Sequence, residues 1–136
     1  MPKNFTSKSQ KIGEMGENIA VKFLVKQGYL ITDRNYTKKW GEIDIVAEKN
    51  NKLYFIEVKS VARETLNNVL HETSDNYRPE ENMHPWKLKR MSRTIQTYLL
   101  AKKISDETEY QIDLLVVYLD LNHKKAKIKL VNDIIL

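Results

Sequence analysis

Small and apolar residues recur at helical spacing at Ile12, Gly16, Ile19, Ala20, Phe23 and Leu24, and Gly28 follows where a helix needs a left-handed closing residue. Ser7-Lys8-Ser9-Gln10 ahead of this stripe has the spacing of a capping box, which predicts a helix over about residues 9–27. The period then changes to two. Residues 29–36 alternate and are rich in strand formers, Lys39 to Gly41 can turn, Ile43, Ile45 and Ala47 mark one face of a second strand, and Asn50-Asn51 leads into a third, LYFIEVKSV. Residues 62–85 sustain no period and contain Pro79 and Pro85, which predicts a long loop with one helical turn around Leu66 to Leu70. Helical spacing returns at Leu88, Met91, Ile95, Tyr98 and Leu99, through about Lys103. QIDLLVVYL is a nearly continuous apolar run, as expected of a strand covered on both faces, and the alternating AKIKLV reads as an edge strand. The predicted order is α-β-β-β-α-β-β, an α/β mixed sheet with helices packed on it, in a chain of 136 residues that fits a single domain, 1–136.

Composition narrows the class. With 41% hydrophobic and 30% charged residues the chain is too apolar for disorder and too charged for a membrane core, and nowhere do 18 apolar residues run together. Lysines near the N-terminus have no apolar stretch behind them, so neither a signal peptide nor a membrane span is expected. The absence of cysteine excludes disulfides, thiolate metal sites and a cysteine nucleophile, and the expected compartment is reducing, hence cytoplasmic. The net charge of +5 is compatible with a polyanionic partner. Residues 62–85 hold Glu64, Glu72, Asp75, Glu80 and Glu81 against Arg63 and Arg78, so the basic surplus belongs to the rest of the chain.

The second and third strands carry the candidate chemistry. Residues two apart share a strand face, roughly 7 Å apart, so Glu42 pairs with Asp44 and Glu57 with Lys59, away from the apolar set of Ile43, Ile45, Ala47, Tyr54, Ile56 and Val58. The short Asn-Asn turn makes these strands antiparallel neighbours, and in a suitable register Asp44 and Glu57 come close enough to share an ion. Two carboxylates at about 4 Å repel by roughly 1 kcal/mol in water and several times that near a protein surface, so such a pair shifts its pKa or recruits a cation. Mg²⁺ suits it, with oxygen ligands and retained waters, and Lys59 could orient water or neutralise charge on a scissile phosphate. Glutamate and lysine on an exposed strand also form plain cross-strand ion pairs, and spacing does not separate the two readings.

The motif G-E-I-D at 41–44 followed by I-E-V-K at 56–59 resembles the PD-(D/E)xK nuclease superfamily, and more closely its YraN-like family of predicted endonucleases, which is similar to Holliday-junction resolvases. "GEMGENIAVKFLVKQG" at 13–28 looks like that family's first helix, "DRNYTKKWGEID" like its Arg-Asn strand, "KLKRMSRTIQTYL" like its second helix and "YQIDLLVV" at 110–117 like its following strand. The resemblance implies a restriction endonuclease-like three-layer fold and a Mg²⁺- or Mn²⁺-dependent endonuclease acting on DNA, branched or single-stranded structures included, with RNA left open. It implies Asp44 and Glu57 as metal ligands, Lys59 as the catalytic lysine and Glu17 as a helper from the first helix. The alternative is a non-cleaving nucleic-acid-binding module of a repair or recombination complex. Resolvase-like relatives act as twofold pairs, so a homodimer is compatible with the resemblance, although the sequence shows no interface.

One departure and several secondary features complete the reading. The family follows E-V-K with Thr-Arg and a short loop, whereas here Ser60-Val61-Ala62-Arg63 leads into the acidic stretch, which either swings away, gates access or binds something else. Arg63 could stand in for the missing arginine. Lys87, Lys89, Arg90 and Arg93 cluster in the first two turns of the second helix, where those opposite the Leu88/Met91/Ile95 face could contact phosphate or form a solvated face. Glu42 reads as an outer ligand or a partner of Lys38 or Lys39. His71, His84 and His123 lack metal-ligand spacing and read as surface residues, Trp40 and Trp86 as packing residues that could alternatively stack on an unpaired base, and Asp113 as a cap or hydrogen-bonding partner of backbone.

Overall fold

The computed structural model describes residues 7–63 and 85–134. The elements are α1 (Lys8–Lys26), β1 (Leu30–Lys38), β2 (Gly41–Lys49), β3 (Lys52–Arg63), α2 (Pro85–Ala101), β4 (Tyr110–Asp120) and β5 (Lys125–Val131), in the predicted order. The proposed helical turn at Leu66 to Leu70, most of the acidic stretch 62–85, His71 and His84 lie outside the described residues. At the margins of that stretch, β3 runs on to Arg63 and α2 begins at Pro85, where a proline is tolerated because its missing N–H is one a helix leaves unpaired. Among the described residues no helix is long and apolar enough to cross a membrane.

Local chemistry explains the boundaries. Ser7 Oγ accepts the Gln10 amide while the Gln10 side chain accepts the Ser7 amide, the reciprocal pair of a capping box, and Gly28 closes α1 at φ 94°. Asn50 and Asn51 adopt φ of 52° and 63°, the left-handed pair of a two-residue hairpin turn that asparagine tolerates. That turn fixes the register: Lys49 lies opposite Lys52, Ala47 opposite Tyr54 and Ile45 opposite Ile56. The sheet order is β1-β2-β3-β4-β5, antiparallel except for β3 and β4, which are parallel and joined through α2. β5 is an outer strand, as its alternation predicts, with exposed lysines at 125, 127 and 129.

The helices pack on opposite faces. On one, Ala20 and Leu24 of α1 meet Ile45, Ala47, Ile56, Leu115 and Val117; on the other, Met91, Ile95 and Tyr98 of α2 meet Ile43, Val46, Leu53 and Phe55. This α/β sandwich of helix, mixed sheet and helix is consistent with a restriction endonuclease-like fold. It corrects the reading of one apolar face on the hairpin. Ile43 packs under α2 and not beside Ile45 and Ala47, and Val46, Leu53 and Phe55 bury the face expected to carry only charge. Gly41 allows the α2 side to close over the start of β2, because a Cβ there would lie 2.8 Å from Thr94 Oγ1 and 3.3 Å from the Arg90 carbonyl oxygen. On the α1 side, a Cβ on Gly16 would collide with the Ser60 side chain, so the missing side chain lets α1 approach β3.

Candidate functional site

The β2–β3 ladder stops at Ile45 and Ile56, one step short of Asp44 and Glu57. Extended by that step, the register sets the two carboxylates across from each other where the strands part. Asp44 Oδ2 accepts the Val58 backbone N–H at 2.8 Å, so a side chain takes over as acceptor where the backbone ladder ends. Asp44 is 9% exposed. Burial, and next the neighbouring charge of Glu57, pushes its carboxyl well above the ordinary carboxylate value, with Glu17 and Glu42 adding to the push and the Val58 N–H opposing it.

A cleft of about 480 Å³ opens beside the pair, and Glu17, Glu42, Asp44, Glu57 and Lys59 all line it. The close approach at Gly16 and Ser60 brings the next residue of α1, Glu17, to this wall. Its carboxylate is held by Arg34 of β1, whose Nη2 lies 3.4 Å from Glu17 Oε1 and donates to Asn18 Oδ1 at 2.9 Å. Arg34 escaped the residue-by-residue reading; its only signal was its place in the Arg-Asn stretch of the motif. Glu42 accepts from Thr37 Oγ1 at 3.4 Å. Lys59 is exposed at the cleft.

The basic residues of α2 divide. Lys87 does not lie opposite the packed face: it precedes Met91 by four residues, in line with buried Thr94, Ile95 and Tyr98, and its Nζ reaches Glu57 Oε1 at 2.7 Å. Arg93 stacks over Trp40 with its guanidinium carbon 4.2 Å from the ring centre, and Arg90 lies over Trp86 at 5.3 Å while donating to the Trp40 carbonyl at 2.9 Å. Trp86 is 57% exposed, which corrects its reading as a packing residue: much of the ring faces solvent, and one side of it meets the Arg90 guanidinium. Lys89 is exposed. Asp113 is fully buried and accepts the Asp133 amide at 2.9 Å, the backbone role expected of it. His123 is exposed, with Nδ1 3.0 Å from Asp120 Oδ2.

The donor set at the strand junction suits a hard dication. Asp44 and Glu57 offer carboxylate oxygens, and the unfavourable burial of negative charge at Asp44 is what a cation would offset. Among the described residues no group of three or more His, Cys, Asp or Glu is arranged to hold an ion.

Comparison with known proteins bears on the whole chain. The model of "Uncharacterised protein family UPF0102" matches residues 16–117, from the glycine that packs on Ser60 to the middle of β4. A UPF0102 protein of Campylobacter hominis is 36% identical over 127 residues, 93% of this chain and 96% of its own length. One of Caldicellulosiruptor bescii is 32% identical over 125 residues, 91% and 96% of the two chains. Among solved structures, that of Pyrococcus furiosus SfsA in complex with Ca²⁺ aligns over 91% of this chain and 63% of its own, at 13% identity and a TM-score of 0.35, a likeness too slight to carry an argument. With three quarters of its length inside the family model and relatives above 30% identity across nearly all of both chains, the protein belongs to family UPF0102, the YraN-like family that its motifs resemble.

Proposed function

We propose that the protein is a divalent-metal-dependent endonuclease that hydrolyses phosphodiester bonds in DNA, with branched and single-stranded structures as its substrates and RNA as a further class to assay. The observation that carries this reading is the apposition of buried Asp44 and Glu57 at the point where β2 and β3 part, inside a cleft that also presents Lys59. Asp44 and Glu57 would hold Mg²⁺ or Mn²⁺, whose chemistry is Lewis acidity toward a phosphoryl oxygen and toward water. Lys59 shares a strand face with Glu57 and projects its ammonium where charge builds on the scissile phosphate. Glu17, braced by Arg34, lines the same cleft from α1 and offers it a further acceptor. Lys89, Arg90 and Arg93 extend positive charge from the site along α2 as contacts for phosphate, Arg90 and Arg93 already ordered by their tryptophans.

A second reading, a module that holds nucleic acid without cutting it, is favoured by one contact: Lys87 already supplies Glu57 with a cation. The two differ in an assay. Purified protein offered flapped, branched and single-stranded DNA should cut only with Mg²⁺ or Mn²⁺, and Lys59→Ala should lose cutting while keeping its circular dichroism spectrum. Binding that survives EDTA, with no cleavage distinguishing wild type from Lys59→Ala, would establish the second reading instead.

A further inference from the structure

Lys87 is the one residue of α2 whose ammonium enters the acidic junction. Its place in the helix explains how. Counting from Lys87, the buried residues Met91, Thr94, Ile95 and Tyr98 fall at i+4, i+7, i+8 and i+11, so Lys87 continues the core-facing stripe one turn beyond the core. A side chain at that position reaches over the sheet and not into open solvent, and its aliphatic stem can lie along apolar surface while the head meets charge. The head lies 2.7 Å from Glu57 Oε1, with the Glu57 side chain only 14% exposed and that of Lys87 43% exposed. Lysine holds this carboxylate as a compact point charge on a flexible stem, not through a two-pronged planar fork as arginine would. The contact is therefore easily exchanged.

Resting on the metal-dependent nuclease reading, we propose that Lys87 is a movable counter-ion of the cleft. It balances Glu57 while no dication is present, yields that carboxylate when a dication binds, and passes to a non-bridging oxygen of the substrate phosphodiester. Lys87 is then a substrate-contacting residue gated by metal, distinct from the fixed arginines farther along α2. Two measurements must move in opposite directions. Removing the competing ammonium lets the dication bind more tightly, and removing the phosphate contact makes nucleic acid bind more weakly.

The test compares wild type, Lys87→Met, which keeps the stem, and Lys87→Arg, which keeps the charge. Calorimetric titration with Mn²⁺ alone should show Lys87→Met binding roughly tenfold more tightly than wild type, and Lys87→Arg, whose planar fork grips Glu57 more firmly, binding no more tightly than wild type. Fluorescein-labelled oligo(dT) titrated in saturating Ca²⁺ should bind Lys87→Met roughly tenfold more weakly, with a shallower salt dependence. If wild type binds Mn²⁺ and Lys87→Met binds it no more tightly, the contact is a static structural ion pair and this inference alone falls. Unchanged oligonucleotide binding by Lys87→Met likewise overturns it while sparing the nuclease reading. A wild type that takes up no Mn²⁺ overturns both.

Discussion

Asp44 Oδ2 accepts the Val58 amide at 2.8 Å, which ties the most buried carboxylate of the cleft to the strand that carries Glu57 and Lys59. The bond fixes the carboxylate without discharging it. Asp44 thus holds its position at a cost to the fold, and that cost can be measured.

Asp44→Asn should stabilise the protein at neutral pH. Asparagine keeps an oxygen for the Val58 amide and removes the buried charge. The sign follows from the raised pKa: Asp44 binds its proton more tightly in the folded state than when unfolded, near 3.8. Its contribution is therefore fully present below that value and lost as pH rises through the folded pKa. Urea denaturation should show the variant more stable than wild type at pH 7, with the gap closing as pH falls toward 4. A gap independent of pH would show that the carboxyl is not perturbed.

Loading the site should reverse that balance. Mn²⁺ should raise the Tm of wild type and leave Asp44→Asn unmoved, and EDTA should return wild type to its starting point. Because a ligand carboxylate must lose its proton, calorimetry in buffers of different ionisation enthalpy should detect proton release on Mn²⁺ binding at pH values below the folded pKa of Asp44. Equal heats in all buffers at such a pH would contradict a protonated ligand.

Gly16→Ala should cost about 1–3 kcal/mol, the range for overpacking a close contact, since its methyl group would meet the Ser60 side chain. Adding Ser60→Gly should recover part of that loss, beyond what Ser60→Gly does alone. A double-mutant cycle by urea denaturation measures the coupling, and strict additivity would mean that α1 does not rest on β3 at this point.

Arg34→Met separates function from stability. Arg34 is 38% exposed and its pair with Glu17 spans 3.4 Å, so the fold should lose at most about 1 kcal/mol. Cleavage should fall by more, roughly tenfold, as Glu17 loses its brace. Parallel kinetics and thermal melts read the two effects; a loss of stability matching the loss of activity would make Arg34 a structural residue only.

The strands, their order and the Asp44–Glu57 pair were legible because each rests on local chemistry. Period-two alternation, the two asparagines of the turn and the i, i+2 rule are all written within the chain's near neighbourhood. What escaped depended on elements distant in sequence. Ile43 shares parity with Ile45, yet where β2 leaves β3 it turns to α2, and no alternation rule anticipates a strand that changes neighbours. Arg34 and Glu17 are seventeen residues apart and meet only because β1 passes beside α1. Lys87 was within reach: its four-residue offset from Met91 is plain in the sequence, but grouping it with the neighbouring basic residues as a phosphate contact left its reach to Glu57 unseen.

The alternate lysines at 125, 127 and 129 bear on how copies of this chain meet. An outermost strand offers unpaired amides and carbonyls to any similar edge, the route by which sheets fuse into aggregates. Two β5 strands brought side by side would set rows of ammonium groups against one another, so this margin repels its own kind. The protein should tolerate high concentration without sheet-to-sheet fusion at β5.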